Sequence, residues 1–343
     1  MSRASIFVVG TLLLAACKSD GSSVDLGNAD LSMPGVTDTD AAQPITGDLA
    51  AADLTSVGNP YASPGPSAST TTTATASLAG SQFTITIYIP AGAGPFPVVA
   101  ISPGFGQPGT AYTPYADRLA SFGIAVLLRD DPGFSTASTT AAEQLTDEIK
   151  TWLPAENAKA AGPLFGKVDL TKVGLMGHSR GGQASLLAAT GELHGKIASF
   201  FGLDPVDTSA GGATSRGALP TIGIPTAFMG ETLDGTSIFG FGMACAPTAD
   251  NYAVLYGVAP TPSLLLTVNN AAHFDFELRS KAVGAGICAT GTADATQVLD
   301  MAVALSTGFF ARELLGKSAV GVALDGAGAA GYIQTGLLTR TQK

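Results

Sequence analysis

Residues 172–191 read KVGLMGHSRGGQASLLAATG: an apolar run, five residues of the form G-x-S-x-G, then a segment rich in small residues. This is the pattern of a nucleophile elbow, in which a strand turns abruptly into a helix and holds a serine on a strained tip. Side chains two positions either side of Ser179 would collide in that turn, so Gly177 and Gly181 stand there. Ala184, Ala188 and Ala189 let the following helix lie close to the sheet. A serine hydroxyl is a weak nucleophile and needs a base, usually histidine, oriented by an acid. Three histidines are available. His178 neighbours Ser179, so the elbow directs it away from the hydroxyl. His194 follows the elbow helix and reads as a surface residue. His273, in SLLLTVNNAAHFDF, sits on a loop past the last strong strand signal. The chain order serine, acid, histidine makes His273 the expected base.

The acid is less determined. Asp204 ends the apolar run of IASFFGLDPVD, with Asp207 close by; Glu231 and Asp234 end the next run, PTAFMGETLDG. The strand ends lean only slightly to Asp204. Around the elbow, QFTITIYIP alternates as a half-buried strand does, and PVVAIS and IAVLL are continuous apolar runs, as in strands covered on both faces. AYTPYADRLASFG and AAEQLTDEIKTWL have helical character between them, and KVGLM, ASFFGL, PTAFMG and SLLLTV continue the alternation. The expected fold is α/β, a mostly parallel sheet with helices on both faces.

The N-terminus, MSRASIFVVGTLLLAACKSD, has a cationic start, an apolar centre too short to span a bilayer, and small residues before Cys17. Leu14-Ala15-Ala16-Cys17 resembles the lipobox of bacterial lipoproteins, so residues 1–17 are expected to be an export signal ending at a lipidated cysteine. Lys18 resembles signals for the outer membrane. Residues 18–60 are acidic, lack aromatic residues before Tyr61 and read as a disordered tether, leaving 61–343 as one catalytic domain. Much of the net charge of −10 lies in that tether, which argues against nucleic-acid binding. In an oxidising compartment, Cys245 and Cys288 are expected to form a disulfide. With no His or Cys cluster, no metal or other cofactor is expected.

Four stretches carry a resemblance: Gly177-His178-Ser179-Arg180-Gly181-Gly182, Gly202-Leu203-Asp204-Pro205-Val206, Cys245-Ala246-Pro247 and Ala272-His273-Phe274-Asp275. They resemble the chlorophyllase branch of the α/β-hydrolases, which is similar to platelet-activating-factor acetylhydrolases and cutinase-like polyester hydrolases. The likeness covers roughly residues 83–315. It implies an α/β-hydrolase fold and makes Asp204 the acid. Ala272 is a departure, since the family usually has glycine before the histidine.

One more glycine-rich stretch, SPGFGQPG at 102–109, follows an apolar run and contains G-x-G-x-x-G. Taken with Asp130 and Asp131 at the end of IAVLLRDD, it fits a dinucleotide loop, but the lone motif is weak and an exported protein meets little nicotinamide cofactor. The resemblance implies instead an oxyanion loop, with Phe105 and Arg180 donating backbone N–H groups and the two aspartates near the pocket. The expected activity is serine carboxylic-ester hydrolysis on a small or polymeric ester, either chlorophyllase-like or cutinase-like. A catalytically silent tethered binding lipoprotein is the rival from another class. Phe239, Phe241 and Met243 are candidates for an apolar wall.

Overall fold

The apolar runs of the sequence become strands of a single sheet, in the order β1-β2-β4-β3-β5-β6-β7-β8-β9. The strands are β1 (Ser69–Leu78), β2 (Ser81–Pro90), β3 (Phe96–Ser102), β4 (Ala125–Leu128), β5 (Val168–His178), β6 (Ser199–Leu203), β7 (Thr226–Glu231), β8 (Ser263–Val268) and β9 (Leu338–Gln342). Strands β3 to β8 are parallel; β1 and β2 add an antiparallel pair at one edge, and β9 closes the other edge against β8. Among the described residues the α-helices are α1 (Thr113–Ser121), α2 (Ser138–Asp147), α3 (Leu153–Ala158), α4 (Arg180–Thr190), α5 (Tyr252–Val258), α6 (Ala295–Leu315) and α7 (Ala327–Gln334). This is the α/β-hydrolase fold.

The structure is a computed structural model. Its chain divides into Met1–Asp48 and Leu49–Lys343. The described residues, all in the second unit, are 58–233, 235, 244–284, 286–317, 324 and 327–343. The signal and nearly all of the tether, Cys17 included, lie outside them, as do Asp234, Phe239, Phe241 and Met243.

Continuous apolar strands are explained by helices on both faces. Alternate residues of one strand feed opposite layers. Val99, Ile101, Met176 and Phe201 pack with Tyr115 of α1 and Phe309 of α6, whereas Val98, Ala100, Leu175 and Phe200 pack with Leu145 of α2 and Leu186 of α4. Each buried Val, Leu, Ile, Met or Phe side chain among them contributes about 1.5–3 kcal/mol on full burial. Small residues at α4 have a direct reason: Ala184, Ala188 and Ala189 are almost wholly buried against the sheet.

Two strands have weak sequence signals. STTTTATASL of β1 has no apolar run, because it is an edge strand with its first half exposed. LTRTQ of β9 is mostly polar for the same reason, and it gives the glycine-rich tail an ordered end. Among the described residues, no helix is long and apolar enough to cross a membrane.

The parallel core sets the position of the site. The carboxyl ends of β3, β5, β6 and β8 lead, respectively, into the 102–109 loop, the Ser179 elbow, Asp204 and the His273 segment.

Candidate active site

Ser179 adopts φ 52° and ψ −123°, a left-handed conformation that a non-glycine residue holds only under constraint. The constraint is visible. A Cβ on Gly177 would lie 2.4 Å from the Gly181 carbonyl oxygen, and a Cβ on Gly181 would lie 2.1 Å from that of Ser102. The tip is also pinned to β6: Ser179 N–H donates to the Leu203 carbonyl at 3.1 Å, and Val206 N–H donates to that of Ser179 at 3.2 Å.

Of the candidate acids, the structure brings Asp204 to the histidine. His273 Nδ1 lies 2.6 Å from Asp204 Oδ2, and both side chains are buried. Asp207 is engaged elsewhere: it accepts from the Ser215 N–H at 2.7 Å and hydroxyl at 3.0 Å, and from Arg216 Nε at 3.2 Å. Glu231 accepts the Leu233 N–H two residues on. The histidine segment is held by its own acid, since Asp275 accepts the Ala272 N–H at 2.8 Å and pairs with Arg279. Ala272 has φ −127°, ordinary extended backbone, so the usual glycine is not required there. His194 is exposed, bonds the Thr221 carbonyl and takes no part in the site.

In the 102–109 loop, Gly104 N–H donates to Tyr112 Oη at 3.0 Å and Gly106 N–H to Asp131 Oδ2 at 2.8 Å. Among the described residues, the Phe105 N–H between them has no protein acceptor. Arg180 opens α4, so its N–H has no partner within the helix. The aspartates brace this loop rather than line a pocket. Asp130 accepts the Gly109 N–H at 2.8 Å, and Asp131 also accepts from Gly133 N–H and pairs with the Arg180 guanidinium. That guanidinium lies 4.5 Å from the Phe105 ring centroid, and Phe105 meets Phe134 edge-on at 4.9 Å.

Two cavities meet at Ser179. One, of about 360 Å³, is lined by His273, Phe274, Val283, Ile287 and the Cys245–Cys288 disulfide. The other, of about 480 Å³, is lined by Phe134, Thr136, Val206 and Thr208, and Phe105 borders both. The disulfide spans a sequence separation of 43 with Cα atoms 5.7 Å apart. It therefore holds one wall of the site as well as cross-linking the chain, a closure whose entropy is on the order of 4 kcal/mol. Among the described residues, no group of three or more His, Cys, Asp or Glu side chains is arranged to hold a metal ion.

Beneath the site lies a buried polar cluster that motif reasoning passed over: Tyr112, His178 and Glu277. Burial, then the nearby His273, holds the His178 pKa well below the usual histidine range. Burial raises the Glu277 carboxyl to about 7, and burial with the Glu277 charge raises the Tyr112 hydroxyl well above its ordinary value. The one available signal was the position of His178 itself: the last residue of a central strand cannot reach solvent.

A model of the chlorophyllase family matches residues 65–319, beyond both ends of the 83–315 stretch. The chain belongs to the chlorophyllase family. It is 30% identical to "Chlorophyllase-1, chloroplastic" of Citrus sinensis over 175 residues, which is 48% of this chain and 50% of that protein. It is 26% identical to "Cutinase est1" of Thermobifida alba over 188 residues, 54% of this chain and 56% of the relative. The chain thus spans about half the length of the curated relatives it matches. All of the residues described above, from Gly104 to Cys288, lie within the stretch matched by the chlorophyllase family.

Proposed function

We propose that this member of the chlorophyllase family hydrolyses carboxylic esters through an acyl-enzyme on Ser179. The reading rests on one observation: His273 Nδ1 is 2.6 Å from Asp204 Oδ2, in a cavity shared with the strained Ser179. With Nδ1 held by Asp204, Nε2 is the ring nitrogen that takes the serine proton. The Ser179 oxygen then bonds to the ester carbonyl carbon, and the oxyanion is held by the Phe105 and Arg180 N–H groups. The carbon–oxygen bond to the alcohol breaks as His273 returns the proton to the leaving oxygen. Water, deprotonated by His273, attacks the acyl-enzyme and releases the carboxylic acid. Asp204 keeps the imidazole oriented and stabilises its protonated form.

The two cavities suit an ester with an apolar group on each side of the carbonyl. Chlorophyll-type and polyester substrates both have this form, and a panel of chlorophyll, polyester film and p-nitrophenyl esters of graded length ranks them. Export with lipidation at Cys17 belongs to the same reading. A disulfide at the site wall suits an oxidising compartment, and the mass of the mature N-terminal peptide tests the lipid.

The mechanism is tested by fluorophosphonate labelling and ester turnover. Ser179→Ala should abolish both, and an active Ser179→Ala protein would sink the mechanism. Asp204→Asn should lower kcat by about 10³–10⁴-fold, because the amide favours the wrong imidazole tautomer. Glu231→Gln should cost far less.

A further inference from the structure

The elbow contains a histidine, His178, for which the catalytic steps have no use, yet it is buried to 1% exposure beside the site. Its Nε2 lies 3.0 Å from the carbonyl oxygen of His273, and its Nδ1 lies 2.8 Å from Tyr112 Oη. A carbonyl can only accept, so Nε2 carries the hydrogen. In a neutral ring Nδ1 is then an acceptor, and the Tyr112 hydroxyl must donate to it. The same hydroxyl oxygen accepts the Gly104 N–H at 3.0 Å. The hydrogen bonds therefore run in one direction: Gly104 N–H to Tyr112, Tyr112 to His178, His178 to the His273 carbonyl.

The two ends of this chain are the backbones of two separate segments of the site, the oxyanion loop and the histidine segment. Gly104 precedes Phe105, and His273 supplies the proposed base. We propose that Tyr112 and His178 are positioning residues that lock the oxyanion loop to the His273 backbone, fixing the distance between the Phe105 N–H and the base. The inference rests on the esterase reading for its kinetic effect but not for its geometry.

Three further features support it. A Cβ on Gly104 would come within 2.8 Å of His178 Nδ1 and 3.3 Å of Tyr112 Oη, so the loop lies directly on the pair. The His178 and His273 rings lie against each other with centroids 4.6 Å apart and planes tilted by 36°, so the second ring is supported at its face as well as through its carbonyl. Glu277, 4.0 Å from His178 Nδ1, is the competing acceptor for the Tyr112 proton, and its protonated form leaves that proton to His178. The other groups facing the pair are committed: the Tyr115 hydroxyl donates to the Phe276 carbonyl, and Arg279 pairs with Asp275.

The test has a kinetic arm and a spectroscopic one. Tyr112→Phe removes both contacts of the hydroxyl and keeps the ring. It should lower kcat and the fluorophosphonate labelling rate by about 10-fold with little change in KM, a loss smaller than deletion of an oxyanion donor itself. His178→Leu should do the same, and the double variant should be no worse than the worse single, since links in series are lost together. His178→Gln, whose amide can donate to the His273 carbonyl and accept from Tyr112, should recover most of the rate. Wild-type rates in Tyr112→Phe, or additive losses in the double variant, would overturn the proposal, as would a loss that follows the folded fraction in thermal melts. Ring ¹⁵N spectra of the ¹⁵N-labelled, substrate-free wild-type protein read the chain without any turnover. They should show His178 as the neutral Nε2–H tautomer, with the His273 ring resonances moved by Tyr112→Phe. A charged or Nδ1–H His178 overturns the lock. A wild type that neither turns over esters nor labels, with the expected spectra, overturns the esterase reading alone.

Discussion

Two glycine-rich turns lie side by side at the carboxyl ends of β3 and β5, and they need their glycines for different reasons. In the elbow the obstacle is backbone: a Cβ on Gly181 meets the Ser102 carbonyl at 2.1 Å, and one on Gly177 meets the Gly181 carbonyl at 2.4 Å. In the 102–109 loop the obstacles at Gly104 and Gly106 are side chains, His178 and Tyr112 for the first and the Phe134 ring for the second. At Gly104 and Gly106 the missing side chain makes room for protein side chains. An obstacle made of backbone, whether the elbow's own or that of β3 beside it, cannot swing aside, whereas a side chain can.

The largest expected effect is at the backbone end of this comparison. Gly181→Ala has no side chain to displace, so the elbow or β3 must shift. Overpacking of this kind costs about 1–3 kcal/mol or more, and the shift moves the nucleophile itself. We expect a lower melting temperature together with loss of at least about 10²-fold in kcat, consistent with how steeply rates fall on misplacement. Near-normal turnover by Gly181→Ala would break the comparison.

An intermediate effect comes from the acid beneath the loop. Glu277 has a carboxyl raised from 4.5 to about 7 by burial. A carboxyl raised on folding binds its proton more tightly in the native state, so its contribution is complete below about pH 4.5 and is lost as pH rises through about 7. At about 1.4 kcal/mol per pH unit, that loss is on the order of 3 kcal/mol. Glu277→Gln cannot ionise. Its melting temperature should therefore fall less than that of wild type between pH 5 and pH 8, and parallel curves for the two proteins would refute the buried carboxyl.

The smallest effect is expected at Gly106, where φ is +70° and a Cβ would meet the Phe134 ring at 2.4 Å. Phe134 is 68% exposed and free to swing outward. Gly106→Ala should thus cost mainly the left-handed backbone, about 1–2 kcal/mol, and keep kcat within a few-fold. A defect as severe as that of Gly181→Ala would mean that the loop, too, is limited by its backbone.

Much of the molecule was legible because its signals are local. The apolar runs of β3, β5, β6, β7 and β8 are continuous because both sheet faces are covered, and the elbow carries its own glycines and alanines. The edge strands β1 and β9 were not legible, since a half-exposed strand needs no apolar run. Helix α6 has no clean amphipathic period for the opposite reason: most of its 21 residues are buried, so no polar face marks it.

The sequence by itself determined the fold class, the strained serine and a short set of partners, because backbone sterics and strand periodicity act between neighbours. Strand ends alone left Asp204, Asp207, Glu231 and Asp234 as rival acids with a slight lean to Asp204, since each of them follows a strand, and it was the family resemblance that singled out Asp204. Tertiary structure alone brought Asp204 to within 2.6 Å of His273, across a sequence separation of 69, and gave the Asp207 carboxylate to Ser215 and Arg216. It also decided the role of His178. Facing away from the serine is all that an elbow dictates for that residue; that it meets Tyr112 on one side and the His273 carbonyl on the other depends on separations of 66 and 95 residues, which only the packing of α1 and the β8 loop onto one end of the sheet could close.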